Sequence, residues 1–135
     1  MKRVLLGAVI GVFALSITAA KAATNDGDRI LGEYKTVRDG AVTTVRISKI
    51  GENSYKAHIV QIENENKQHI PTNQIVLIES VSYNSKEGVW EDGHIYDPTK
   101  GEIYRVVLDF ASDTTLRVRG YLGLFSKSIY WEKIN

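Results

Sequence analysis

The sequence predicts an all-β protein, an up-and-down antiparallel barrel of about eight strands. Three observations carry that expectation. Apolar and polar residues alternate with period two over most of the chain beyond residue 30, and no stretch holds a 3.6-residue stripe for three turns. Turn signals recur at roughly 8–12-residue spacing. The composition, 43% hydrophobic and 24% charged over 135 residues, is that of one globular domain. The chain contains no cysteine, which excludes disulfide staples, a cysteine zinc site and a cysteine nucleophile.

The elements follow in order. Leu31 to Val37 reads as the first strand, and Asp39-Gly40 is the dipeptide that best supports a tight hairpin. Val42 to Ile50, rich in β-branched residues, is the second strand, and Gly51-Glu52-Asn53 turns it. Tyr55, Ala57 and Ile59 alternate with Lys56 and His58 in the third strand, so His58 is expected to point outward. Polar Asn64 to Gln74, which includes Pro71, is the longest loop, and Ile75 to Tyr83 supplies a fourth strand, or a strand with a short helical turn. Asp92-Gly93 reads as a further turn. Asp97-Pro98-Thr99-Lys100-Gly101 has proline and glycine where a type I turn with a glycine bulge requires them. Ile95-Tyr96 leads into that turn, and Ile103 to Phe110, Thr115 to Leu122 and Ser128 to Ile134 complete the set. Short sequential connections favour a meander, and closing it removes exposed edges.

The N-terminus belongs to another category. Lys2 and Arg3 precede an uncharged run from Val4 to Ile17, shorter than the roughly 20 residues a bilayer-spanning helix needs. Ala20-Lys21-Ala22 supplies a small-x-small cleavage site. Residues 1–22 are therefore expected to be a secretory signal, residues 23–29 a loose leader, and residues 30–135 the barrel. Cleavage removes Lys2, Arg3 and Lys21 from 17 basic residues set against 16 acidic ones. The mature chain is then slightly acidic, with no transmembrane segment and no electrostatic footprint for nucleic acid. A periplasmic or secreted location follows.

Three segments and one tryptophan point to a family. Gly32-Glu33-Tyr34, the run from Gly93 through Tyr96-Asp97-Pro98-Thr99-Lys100-Gly101 to Tyr104, Leu116 to Gly123, and Trp131 occur in that order. Together they resemble the domain-of-unknown-function family numbered 2147, a group of exported bacterial proteins. The resemblance implies a calycin-like, or lipocalin-like, barrel with no established enzymatic activity. The chain departs from the family's pattern at Tyr34, where members commonly carry tryptophan, and along Asn64 to Gln74, where they tend to carry an Asn-Pro segment.

Catalytic chemistry finds no foothold. There is no Gly-x-Ser-x-Gly elbow, no His-Glu-x-x-His and no phosphate-cradling glycine loop. Glu91 and Asp92 are adjacent in a strand and point to opposite faces. His58, His69 and His94 lack metal-ligand spacing, so neither a metal nor a cofactor is expected. Asp97 is expected to accept hydrogen bonds from the backbone of its own turn.

Ligand binding draws instead on Arg117, Arg119, Tyr121, Tyr104 and Trp131. Arg117, Arg119 and Tyr121 share one face of their strand, and Leu116, Val118, Gly120 and Leu122 share the other. Three arrangements compete. The arginines can lie outside, paired with Asp109 or Glu102 on the neighbouring strand. They can line the barrel, with Arg119-Gly120-Tyr121 holding a carboxylate as the Arg-x-Tyr pair of fatty-acid-binding proteins does. Or one can close the barrel by stacking on an aromatic, as in lipocalins. The apolar set is expected inside. The chain is thus read as an exported, non-enzymatic module for a small apolar or amphipathic ligand. The rival reading is a filled barrel whose loops recognise a protein partner in the cell envelope.

Overall fold

The computed structural model describes residues 26–70, 72 and 74–135. The expected secretory signal, residues 1–22, lies outside the described residues, as do residues 23–25. A 3-10 turn, Asp26–Ile30, leads into β1 (Gly32–Arg38), β2 (Ala41–Gly51) and β3 (Ser54–Glu63). The short β4 (His69–Ile70) precedes β5 (Val76–Asn84), β6 (Val89–Asp97), β7 (Glu102–Phe110), β8 (Thr115–Leu122) and β9 (Phe125–Lys133). All pairings are antiparallel, in the order β2-β1-β9-β8-β7-β6-β5-β3, and the β2–β3 pairing closes the ring. The protein is an all-β, eight-strand, up-and-down barrel. β4 is an addition to it, lying beside the end of β3 through Ile62↔Ile70 and Glu63↔His69.

Local chemistry explains most of the hairpins. Asp39 and Gly40 both have positive φ, 52° and 79°, the pair a two-residue turn needs to match strand twist, and Arg38 faces Ala41 across it. Asp97 caps its loop: its Oδ1 accepts from the backbone N–H groups of Thr99 (2.9 Å) and Lys100 (3.3 Å). Its carbonyl accepts from Gly101 N–H at 2.7 Å.

Asp92-Gly93 is not a turn. Both residues lie inside β6, where Trp90 faces Leu108 and Gly93 faces Val106, so β6 carries one extra residue. Asp92, at φ 65°, makes the bulge. Gly93 is buried against β5, and a Cβ there would overlap the Ser80 carbonyl oxygen. The dipeptide that elsewhere reverses the chain here lets two strands approach.

The expected leader also needs correction, since Asp26–Arg29 are built into the barrel. Ile30 is fully buried, Trp90 Nε1 donates to Gly27 O (3.2 Å) and Tyr34 OH donates to Ile30 O (2.8 Å). Tyr55 OH donates to Asp28 Oδ1 (2.7 Å), and Lys49 Nζ lies 2.8 Å from that oxygen. The Arg29 guanidinium sits 5.4 Å from the Trp90 ring and 4.8 Å from Phe110. Lys133 Nζ donates to Arg29 O (2.8 Å) and lies 5.8 Å from the Tyr34 ring. This end of the barrel is closed, and the closing cations are Arg29 and Lys133 rather than Arg117 or Arg119.

The ring is weakest between its first and last strands. β1 and β9 pair only at Tyr34↔Lys133 and Lys35↔Glu132. Glu33 N–H donating to Asn135 O (3.0 Å) and Ile134 N–H donating to Glu33 O (2.8 Å) reinforce that seam at the closed end.

The charged groups set a pH response. Lys49 and then Tyr55 hydrogen-bond Asp28, and Arg117 hydrogen-bonds Asp109, holding both carboxyls below their usual range. Burial, then Lys56 and Arg46, push His58 below its ordinary value of 6.5, and its buried Nδ1 has no hydrogen-bond partner among the described residues. In all three the folded state binds a proton less readily than the unfolded chain, so each contribution is present at high pH and lost as pH falls. Urea midpoints are expected to decline first below about pH 6.5, through His58, and again below about pH 4 as the carboxylates titrate. His58→Gln should remove the first decline and keep the second; a wild-type midpoint constant between pH 7 and 5 would refute the histidine's part.

Candidate functional site

The inner face changes character along the barrel. Near the closed end it is filled by Trp90, Tyr34, Leu108, Leu116 and Trp131, each at most 1% exposed. Toward the other end the inward positions shrink. Thr36 faces Thr43 across β1 and β2, and the inward run of β8 passes from Leu116 and Val118 to Gly120. A Cβ on Gly120 would meet Tyr104 only at ordinary contact distance, 3.5 Å, so the glycine leaves room above Val118.

That room is a cavity of about 750 Å3. Val45, Ile59, Leu77, Val118 and Trp131 line its deep part, and Thr36, Thr43, Ile95, Tyr104 and Gly120 line its walls. Its size suits one drug-sized ligand. The barrel is therefore not filled, contrary to the rival reading of the sequence. The cavity also reaches the seam: Val37 and Arg38 of β1 and Phe125, Ile129 and Tyr130 of β9 line it, at positions where these strands make no rung with each other. Ile129 shares the inward face with Val118, its partner across the ladder, yet is 39% exposed because the wall is open there.

Side-chain alternation decides the arginines. Leu116 and Val118 point inward, so Arg117, Arg119 and Tyr121 stand on the outer face and do not line the cavity. Arg117 makes a bidentate pair with its ladder partner Asp109, Nε to Oδ1 at 2.8 Å and Nη2 to Oδ2 at 2.5 Å. Arg119 reaches Ser128 Oγ and Tyr121 OH, both at 3.4 Å, and the Arg105 guanidinium lies 4.2 Å from the Tyr121 ring. The Arg119–Tyr121 carboxylate anchor fails on this geometry, because both side chains face away from the interior. Tyr104 and Trp131 do line the cavity.

The mouth carries groups that the sequence reading overlooked. Arg38, Lys100 and Lys127 line it, and among the described residues Asp97 is the single carboxylate there. Lys127 is the ladder partner of Gly120 and so occupies an inward position. The register was the missing signal: with the β8–β9 turn placed at Gly123-Leu124, Lys127 falls opposite Gly120. Tyr104 OH donates to Glu102, which raises the phenol's pKa. A second, shallower groove of about 690 Å3 lies on the outer surface over the β6 bulge, bordered by Glu79, Asp92 and His94. Among the described residues, no three His, Cys, Asp or Glu side chains converge as a metal-binding set.

Comparison with known proteins agrees with this architecture. The sequence profile of the family described as "Uncharacterized protein conserved in bacteria (DUF2147)" matches residues 32–133. Among solved structures, the barrel is similar to protein HP1028 of Helicobacter pylori, described as belonging to the lipocalin family. The two share 14% identity with a TM-score of 0.60, over 78% of this chain and 82% of that one. At that identity the likeness is one of fold. No curated protein matches the sequence. The profile match over most of the barrel shows that this chain belongs to the DUF2147 family, and its fold is a lipocalin-like barrel.

Proposed function

We propose that the protein is an exported, non-enzymatic carrier that holds one small apolar or amphipathic molecule in the open end of its barrel. The observation that carries this reading is the cavity of about 750 Å3 above Val118 and Trp131, walled by apolar side chains and hydroxyls. The charged and apolar pattern of residues 1–22 supports export. A second reading, docking of an envelope protein on the same rim, draws support from the β8–β9 tip, where Leu124 and Phe125 are 102% and 81% exposed.

Gly120→Leu separates the two. The added side chain extends into the cavity from a position where its Cβ meets only ordinary contacts. Titration with N-phenyl-1-naphthylamine, an apolar fluorescent probe, should show binding by the wild type and at least about a tenfold loss in the variant. Unchanged probe affinity in a folded Gly120→Leu protein would rule out the cavity as the binding site and favour the rim. Native mass spectrometry of protein purified from its own envelope should carry an added mass of one small molecule.

A further inference from the structure

The proposed ligand can be narrowed from the charges at the mouth. Arg38, Lys100 and Lys127 meet there, against one carboxylate that is already engaged. Asp97 accepts from two backbone N–H groups of its own turn and lies 3.7 Å from Arg38 Nη1. Glu102, close by on β7, accepts from Tyr104 OH. Lys100 and Lys127 have no carboxylate within ion-pair distance among the described residues. The position of Lys127 is the informative one. Along the β8–β9 ladder the inward pairs run Leu116↔Trp131, Val118↔Ile129, Gly120↔Lys127 and Leu122↔Phe125. A cation thus stands in an apolar course, beside the residue whose missing side chain makes the cavity.

We infer that the ligand is a single-chain amphiphile with an anionic head. Its tail lies against Val118 and Trp131, and its carboxylate or phosphate is held at the mouth by Lys127 with Lys100 and Arg38. This rests on the cavity being a binding site. An alkyl chain suits the apolar floor, and an anion at the mouth supplies the opposite charge that the lysines lack. A neutral alcohol of the same chain length would fill the floor and leave the cations unanswered. A cationic amphiphile would be repelled.

The test compares dodecanoate, dodecyl phosphate, dodecanol and dodecyltrimethylammonium below their aggregation concentrations, followed by tryptophan fluorescence, with Trp131 in the cavity wall as reporter. The two anions are expected to bind about tenfold or more tighter than dodecanol, and the trimethylammonium compound weakest. The ratio of dodecanoate to dodecyl phosphate affinity then tells carboxylate from phosphate as the preferred head. In Lys127→Gln the preference for anions over dodecanol should fall toward one, whereas Lys67→Gln, outside the cavity, should retain it. Equal binding of anions and dodecanol by the wild type would overturn the head-group assignment and leave the cavity as an apolar site. Binding of none of the four would overturn the binding reading itself.

Discussion

Replacing Gly93 with alanine is expected to lower the melting temperature by about 10 °C or more, the equivalent of roughly 3 kcal/mol in a domain of this size. The new methyl group would overlap the Ser80 carbonyl oxygen and lie 2.8 Å from Val81 Cγ1. The carbonyl is backbone, so relief requires β5 and β6 to separate, not a side chain to rotate. Rungs on both sides, Ile78↔Ile95 and Ser82↔Glu91, resist that separation. Gly101→Ala is the matched control: its Cβ would meet nothing within 4 Å, and the cost is the strain of a φ of 70°, about 1 kcal/mol. Thermal unfolding of the two variants side by side decides the matter. Equal losses would mean that the approach of β5 to β6 does not constrain this position.

Trp90→Ala should have the other large effect, about 3–5 kcal/mol. The indole is fully buried and stacks near Tyr83 (4.7 Å between centroids) and edge-on to Phe110 (5.7 Å). It also holds the 3-10 turn, through its bond to Gly27 O and the Arg29 guanidinium over its face. The variant is therefore expected to release the turn before the barrel melts, seen as faster amide exchange at Ile30 and Leu31. Trp90→Phe keeps most of the packing but loses the donor, at a cost of about 1–2 kcal/mol. If amides of the turn exchange as slowly in Trp90→Ala as in the wild type, the turn docks without the indole.

What the sequence revealed was what depends on near neighbours. Period-two alternation, the Asp39-Gly40 reversal and the Asp97 loop are each determined by a few consecutive residues, and the structure has all three. The pairing of Arg117 with Asp109 needed only the register of one hairpin. Asp92-Gly93 was misread because a turn and a bulge share the same backbone preferences, and only the contact with distant Ser80 tells them apart. Asp26–Arg29 looked like a polar leader because its partners, Trp90, Tyr55 and Lys133, lie far along the chain. The carboxylate anchor on Arg119 and Tyr121 drew on a short motif, whereas the cations that do reach the mouth come from three separate hairpins. The cavity left one local trace: Gly120 interrupts an inward apolar course.

The two rungs between β1 and β9 bear on how the molecule is made. They join the first strand of the barrel to the last, so the ring spans nearly the whole described chain. A ribosome releases the residues of β1 before those of β9, and until β9 emerges the sheet has two open borders. Pairing these ends costs the loop entropy of everything between them, so closure is expected to follow the local hairpins. The nascent barrel therefore stays unlocked until β9 has emerged.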